Sequence, residues 1–211
     1  MSHVVLLGDS IFDNAAYVRG GPDVIRQLRD TLPAGWRATL AAVDGAVTGA
    51  VARQAQDLPP DASHFVVSVG GNDALRHIGI FEDASRVIAD AVTRLGAIGD
   101  GFAREYEAML DAVLARGLPT ALCTIYEPRF PDSRMQKLAV TGLCLFNDTI
   151  ARQAFARGLP LIDLRLVCNE DGDYANPIEP SSRGGEKIAR TIARLLAEHD
   201  FSRGRTEVFA R

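Results

Sequence analysis

Short apolar runs rich in β-branched or aromatic residues alternate along this chain with longer stretches whose apolar positions recur every three or four residues. The runs predict strands at 4–7, 36–42, 64–69, 119–125 and 160–164. The helical spacing predicts helices near 22–32, 47–57, 82–98, 102–116, 134–157 and 184–199. Pro22 suits a first helical position, and Gly117 and Gly158 stand where the fourth and fifth helices should stop. Strand and helix in steady alternation imply a parallel sheet with helices on both faces, an α/β fold. No linker, repeat or low-complexity tract interrupts the pattern, and the tail from Arg203 onward reads as a frayed end.

Length keeps this to one domain, residues 1–211. A net charge of -4, from 23 basic and 27 acidic residues, argues against a nucleic-acid surface. Three cysteines, at 123, 144 and 168, cannot all pair and lack metal-ligand spacing, so a reduced protein without metal or other cofactor is expected. The chain enters an apolar strand at Val4 with no charged leader and has no run near ~20 apolar residues, so the expected location is the cytoplasm, away from any membrane.

Ligands of open parallel sheets sit outside the carboxyl ends of the strands, which draws attention to the residues just after each run. Ser10 follows the first strand through Gly8-Asp9, placing its hydroxyl at that edge as a nucleophile or as a helix cap. Gly45 and Asn72 follow the next two strands. With the Ser10 N–H, they supply donors suited to the oxygen that becomes negative in acyl transfer. Each alone reads equally well as a turn residue.

Gly8-Asp9-Ser10, then Gly45, then Gly70-Gly71-Asn72-Asp73, in that order, resemble the first three blocks of the SGNH (GDSL-type) hydrolase family. The resemblance runs from residue 4 to the last helix. It implies a flavodoxin-like three-layer α/β/α sandwich, with Ser10 as nucleophile and Ser10, Gly45 and Asn72 as oxyanion hole. Together with the right-handed crossover rule it predicts a five-stranded sheet in the order 2-1-3-4-5.

The fourth block departs from the family pattern. Where an Asp-x-x-His-Pro segment would supply the base and its orienting acid, this chain reads Asn176-Pro177-Ile178-Glu179-Pro180. Glu179 takes the histidine's place and Asn176 the aspartate's, so the usual Ser-His-Asp set is absent. Beside a neutral Asn176, Glu179 can ionise and accept the Ser10 proton if burial raises its pKa; a salt bridge to Arg183 is the alternative role. His3 and His64 lie at the wrong strand ends and His199 late in the last helix, leaving His77 as the one histidine near the active edge. Asp9, Asn176 and Glu127 are candidate substrate-binding residues. Phe12, Tyr17, Tyr126 and Phe130 are candidates for a pocket lining or for the core, and Cys144 reads as a core residue.

The expected function is a serine esterase or acylhydrolase acting on a small-molecule ester, with Glu179 as base. An acyltransferase and a catalytically impaired ligand-binding protein on the same scaffold are the alternatives. A nucleotide-binding role ranks last, because the first loop lacks a glycine-rich phosphate cradle.

Overall fold

The computed structural model describes residues 2–84 and 87–210. Strand β1 (Ser2–Gly8) is followed by helix α1 (Val24–Thr31), β2 (Trp36–Leu40), α2 (Thr48–Gln54), β3 (His64–Ser68) and the short α3 (Gly71–Leu75). The long α4 (Ile88–Leu114), β4 (Thr120–Cys123), α5 (Ser133–Arg157), β5 (Leu161–Ile162), α6 (Leu164–Val167), α7 (Ser182–Glu198) and β6 (Val208–Phe209) complete the chain. All strands pair in parallel, in the order β2-β1-β3-β4-β5-β6.

Alternation along β1 explains the layers. Val4 and Leu6 face one way, onto α1, α6 and α7, whereas Val5 and Leu7 face the other, onto α2, α4 and α5. The sheet is therefore buried on both faces, and its strands read as unbroken apolar runs for that reason. Among the described residues no helix is long and apolar enough to cross a membrane.

Several local expectations are corrected. A sixth strand extends the expected five. The tail is not frayed, because Leu161 and Asp163 donate their N–H groups to the carbonyls of Glu207 and Phe209, and Phe209 is buried under α7. Two residues carry too short a pattern to announce a strand. The expected helices 82–98 and 102–116 fuse into α4. Gly99 and Gly101 weaken a helix intrinsically, yet α4 packs along α2 and α5, and tertiary contact keeps the helix continuous. The front of the expected 82–98 helix is instead a 3₁₀ turn, Ile78–Glu82, and residues 85 and 86 lie outside the described residues. Pro22 precedes the helix rather than opening it; Asp23 is the N-cap, its carboxylate accepting the Arg26 N–H.

Candidate active site

Gly8 ends β1 with φ +132°, and a Cβ there would lie 1.7 Å from the Ser68 carbonyl oxygen of β3. Only glycine allows this approach. Past it, the Asp9 N–H donates to that same carbonyl, and the Asp9 carbonyl accepts from both Phe12 and Asp13. The tight turn sets Ser10 at the carboxyl edge of the central strand, with 7% of its surface exposed.

The Ser10 hydroxyl donates to Glu179 Oε1 at 3.0 Å. Glu179 is 5% exposed, and its Oε2 has no partner among the described residues. The loop that carries it is fastened from several sides. Asn176 Oδ1 accepts the N–H groups of Ile178 and Glu179, each at 2.9 Å. Tyr126 donates its hydroxyl to the Ile178 carbonyl, and Asn14 its amide to the Pro180 carbonyl. Arg183 pairs with Glu170 and Asp173, so it does not neutralise Glu179.

Burial raises the Glu179 carboxyl to about 7; the Ser10 hydrogen bond opposes this and the nearby Asp44 charge adds to it. Burial likewise raises Asp9 to about 8, although the Ile11 N–H pulls the other way and the charge of Glu179 contributes. Near neutral pH the two carboxyl groups therefore carry less than one negative charge between them, most of it on Glu179.

Asn72 is the second residue of α3, whose N-cap Gly70 adopts φ +123°. Its amide nitrogen donates one hydrogen to the Ala46 carbonyl at 2.9 Å, and its second N–H has no acceptor among the described residues. Gly45, with φ +76°, is the third residue of the turn closed from Ala46 N–H to Val43 carbonyl, a place that demands positive φ. Asp73 locks α3 to α2 by accepting the N–H and hydroxyl of Thr48. The Ser10 and Gly45 N–H groups have no acceptor among the described residues.

Ser10, Asn72, Asp9 and Glu179 line one end of a cavity of about 110 Å³. The remaining walls are largely apolar and come from α3, the 3₁₀ turn, α4 and α5, with Tyr126 and Phe130 among them. Gly45 lies outside the wall, and its neighbour Ala46 accepts the amide of the lining Asn72. Asn176 lies behind the Glu179 loop and not in the wall. Glu127 is exposed and absent from the lining; its backbone carbonyl accepts the Tyr174 hydroxyl. His77 lines the cavity, exposed, its ring without a hydrogen-bonded partner among the described residues. Phe12 is wholly in the core, while Tyr17 donates to Asp44 outside the cavity. Cys144 is exposed, contrary to its core reading, because its position on α5 faces away from the sheet. Asn14, which ties the Glu179 loop to the N-terminus of α1, has no sequence signature beyond its place in the first loop. Among the described residues no cluster of three or more His, Cys, Asp or Glu could hold a metal.

Residues 6–187 match the family model for GDSL-like lipases and acylhydrolases. No curated protein sequence gives a match. The fold is shared with an extracellular lipase from Streptomyces rimosus (TM-score 0.68, 14% identity, 92% of this chain and 99% of that one). It is shared also with phospholipase A1 from Streptomyces albidoflavus (0.64, 15%, 94% and 99%) and a lipase/acylhydrolase from Enterococcus faecalis (0.63, 17%, 93% and 95%).

Proposed function

Because this chain belongs to the GDSL-like lipase/acylhydrolase family, whose members hydrolyse ester bonds, we propose that it is a serine esterase in which Glu179 takes over the role of the missing histidine. The observation that carries this reading is the 3.0 Å hydrogen bond from Ser10 to a carboxylate whose pKa burial has raised to about 7. A base matched to neutral pH can both accept the hydroxyl proton and return it.

In this mechanism Ser10 attacks the ester carbonyl while its proton passes to Glu179. The developing oxyanion takes hydrogen bonds from the Ser10 and Gly45 N–H groups and the second Asn72 N–H. Protonated Glu179 then gives its proton to the leaving alcohol, and an acyl group remains on Ser10. Water attacks that acyl-serine as Glu179 takes its proton, and Glu179 then returns the proton to the departing Ser10 oxygen, which frees the acid and restores the hydroxyl. Asn176 serves by holding the Glu179 backbone rather than by touching substrate, and buried Asp9 borders the reacting end. Glu127 stands apart from this mechanism.

The reading takes residues 1–211 as one catalytic domain. Three unpaired cysteines, one of them exposed, favour a reducing compartment such as the cytoplasm.

The test is turnover of p-nitrophenyl acyl esters by wild type, Ser10→Ala and Glu179→Gln, with mass spectrometry of Ser10 after treatment with an alkyl fluorophosphonate. The expected result is a Ser10 adduct and loss of turnover in both variants. Equal rates in wild type and Ser10→Ala would overturn the reading and leave a ligand-binding protein on this fold.

A further inference from the structure

The cavity beside Ser10 is lined mostly by apolar residues. Beyond Ser10, Asn72 and Glu179 its walls include Ile80, Phe81, Leu95 and Leu143, none of which is fully buried in the core. These side chains border an open space of about 110 Å³. Phe81 closes the 3₁₀ turn toward α5 at Gly142, where a Cβ would stand 3.2 Å from the Phe81 Cζ atom. Glycine is unfavourable in mid-helix, and here it makes room for the aromatic ring.

We propose that Phe81 and Gly142 bound an acyl-chain pocket, and that their contact fixes the substrate class as esters of apolar acyl groups of about four to six carbons. The length follows from volume, since an apolar cavity of ~150 Å³ accommodates a benzene ring of six carbons. The proposal rests on the acyl-Ser10 reading, because the carbonyl of such a chain must lie at the Ser10 end. Each methylene buried in such a pocket is worth about fourfold in kcat/KM until the wall is met.

The test measures kcat/KM for p-nitrophenyl acetate, butyrate, hexanoate, octanoate and decanoate with wild type, Phe81→Ala and Gly142→Val, each checked by thermal unfolding. For wild type, the rate constant should climb about fourfold per methylene from acetate to butyrate or hexanoate and then stop rising. Phe81→Ala should move the maximum at least about two carbons longer. Gly142→Val should keep acetate turnover within about threefold and lose at least about tenfold on hexanoate. Superimposable profiles for the three proteins, or a wild-type preference for acetate, would overturn the proposal.

Calorimetric binding of 1-hexanol and 1-decanol to Ser10→Ala, alone and with Phe81→Ala or Gly142→Val added, separates the pocket from the chemistry. Alcohol binding whose chain-length selectivity follows the two wall variants, beside a wild type that turns over no ester or a Ser10→Ala variant as fast as wild type, supports the pocket and overturns the Ser10 reading. Ester turnover with binding and rates indifferent to both variants does the reverse.

Discussion

Asn176 accepts the backbone N–H of Glu179 at 2.9 Å, through the same Oδ1 atom that accepts the N–H of Ile178. The residue in the aspartate's place therefore fixes the main chain beneath the base. Two backbone donors depend on one oxygen, and that dependence can be measured.

Asn176→Ala is expected to lower kcat by about tenfold with KM nearly unchanged, and to cost about 1–2 kcal/mol of stability through the two orphaned N–H groups. Asn176→Asp restores the acceptor and the stability but adds a negative charge near Glu179. Its rate profile should shift to higher pH, a change that a purely structural role would not produce. Steady-state kinetics across pH checks both.

The esterase rate should rise with pH through about 7, as Glu179 ionises, and then level off. Glu179→Gln removes that limb and lowers kcat by ~10²–10⁴-fold. His77→Ala should leave the profile unchanged. A limb that survives Glu179→Gln and vanishes in His77→Ala would transfer the role of base.

Stability runs the opposite way. Glu179 and Asp9 both have folded pKa values raised above their ordinary values of 4.5 and 3.8, to about 7 and about 8. Their contribution is fully present below about pH 4, while both are protonated in either state, and is lost as pH rises toward 7 and 8. Glu179→Gln should therefore stabilise the protein at pH 8 by about 2–3 kcal/mol relative to wild type and not at pH 4. Urea denaturation at the two pH values measures the difference.

Asn72→Ala should lose ~10²-fold in kcat, with little change in KM, because its second N–H is needed most when the carbonyl oxygen is charged. Burst kinetics with a p-nitrophenyl ester, read against Ser10→Ala, place the loss on acylation.

Gly8 and Gly45 make a contrasting pair. A methyl at Gly8 meets the Ser68 carbonyl carbon and oxygen, so Gly8→Ala should separate β1 from β3 and cost about 3 kcal/mol or more. Gly45 has nothing within 4 Å of a Cβ, so Gly45→Ala bears only the strain of its φ of +76°, about 1 kcal/mol. It also keeps its N–H, and kcat should stay within about threefold. Denaturation midpoints and esterase rates decide each case.

Alternating strands and helices were legible because burial on both faces makes each parallel strand an apolar run, and because the period of a helix survives in its sequence. Gly8, Ser10 and Asn72 were legible for a related reason, since the carboxyl end of a parallel strand delivers the next few residues to a known edge of the sheet. The fusion of α4 was not, because Gly99 and Gly101 read as a break in the helical pattern, while the packing of α4 against α2 and α5 is tertiary. Nor was β6, a strand of two residues held by bonds to β5.

By itself the sequence determined the α/β alternation, the polarity of the sheet and a Glu179 standing where a histidine was expected. Whether that carboxylate met Ser10 or Arg183 was a tertiary decision. Loop 174–180 is drawn in by Asn14, Tyr126 and Asn176, while Arg183 is taken up by Glu170 and Asp173. The pKa near 7 has the same origin, because desolvation depends on what surrounds a group in space and not on its neighbours in the chain. The apolar cavity belongs there too: its walls come from elements whose faces, read singly, look like ordinary helix surface meeting a core.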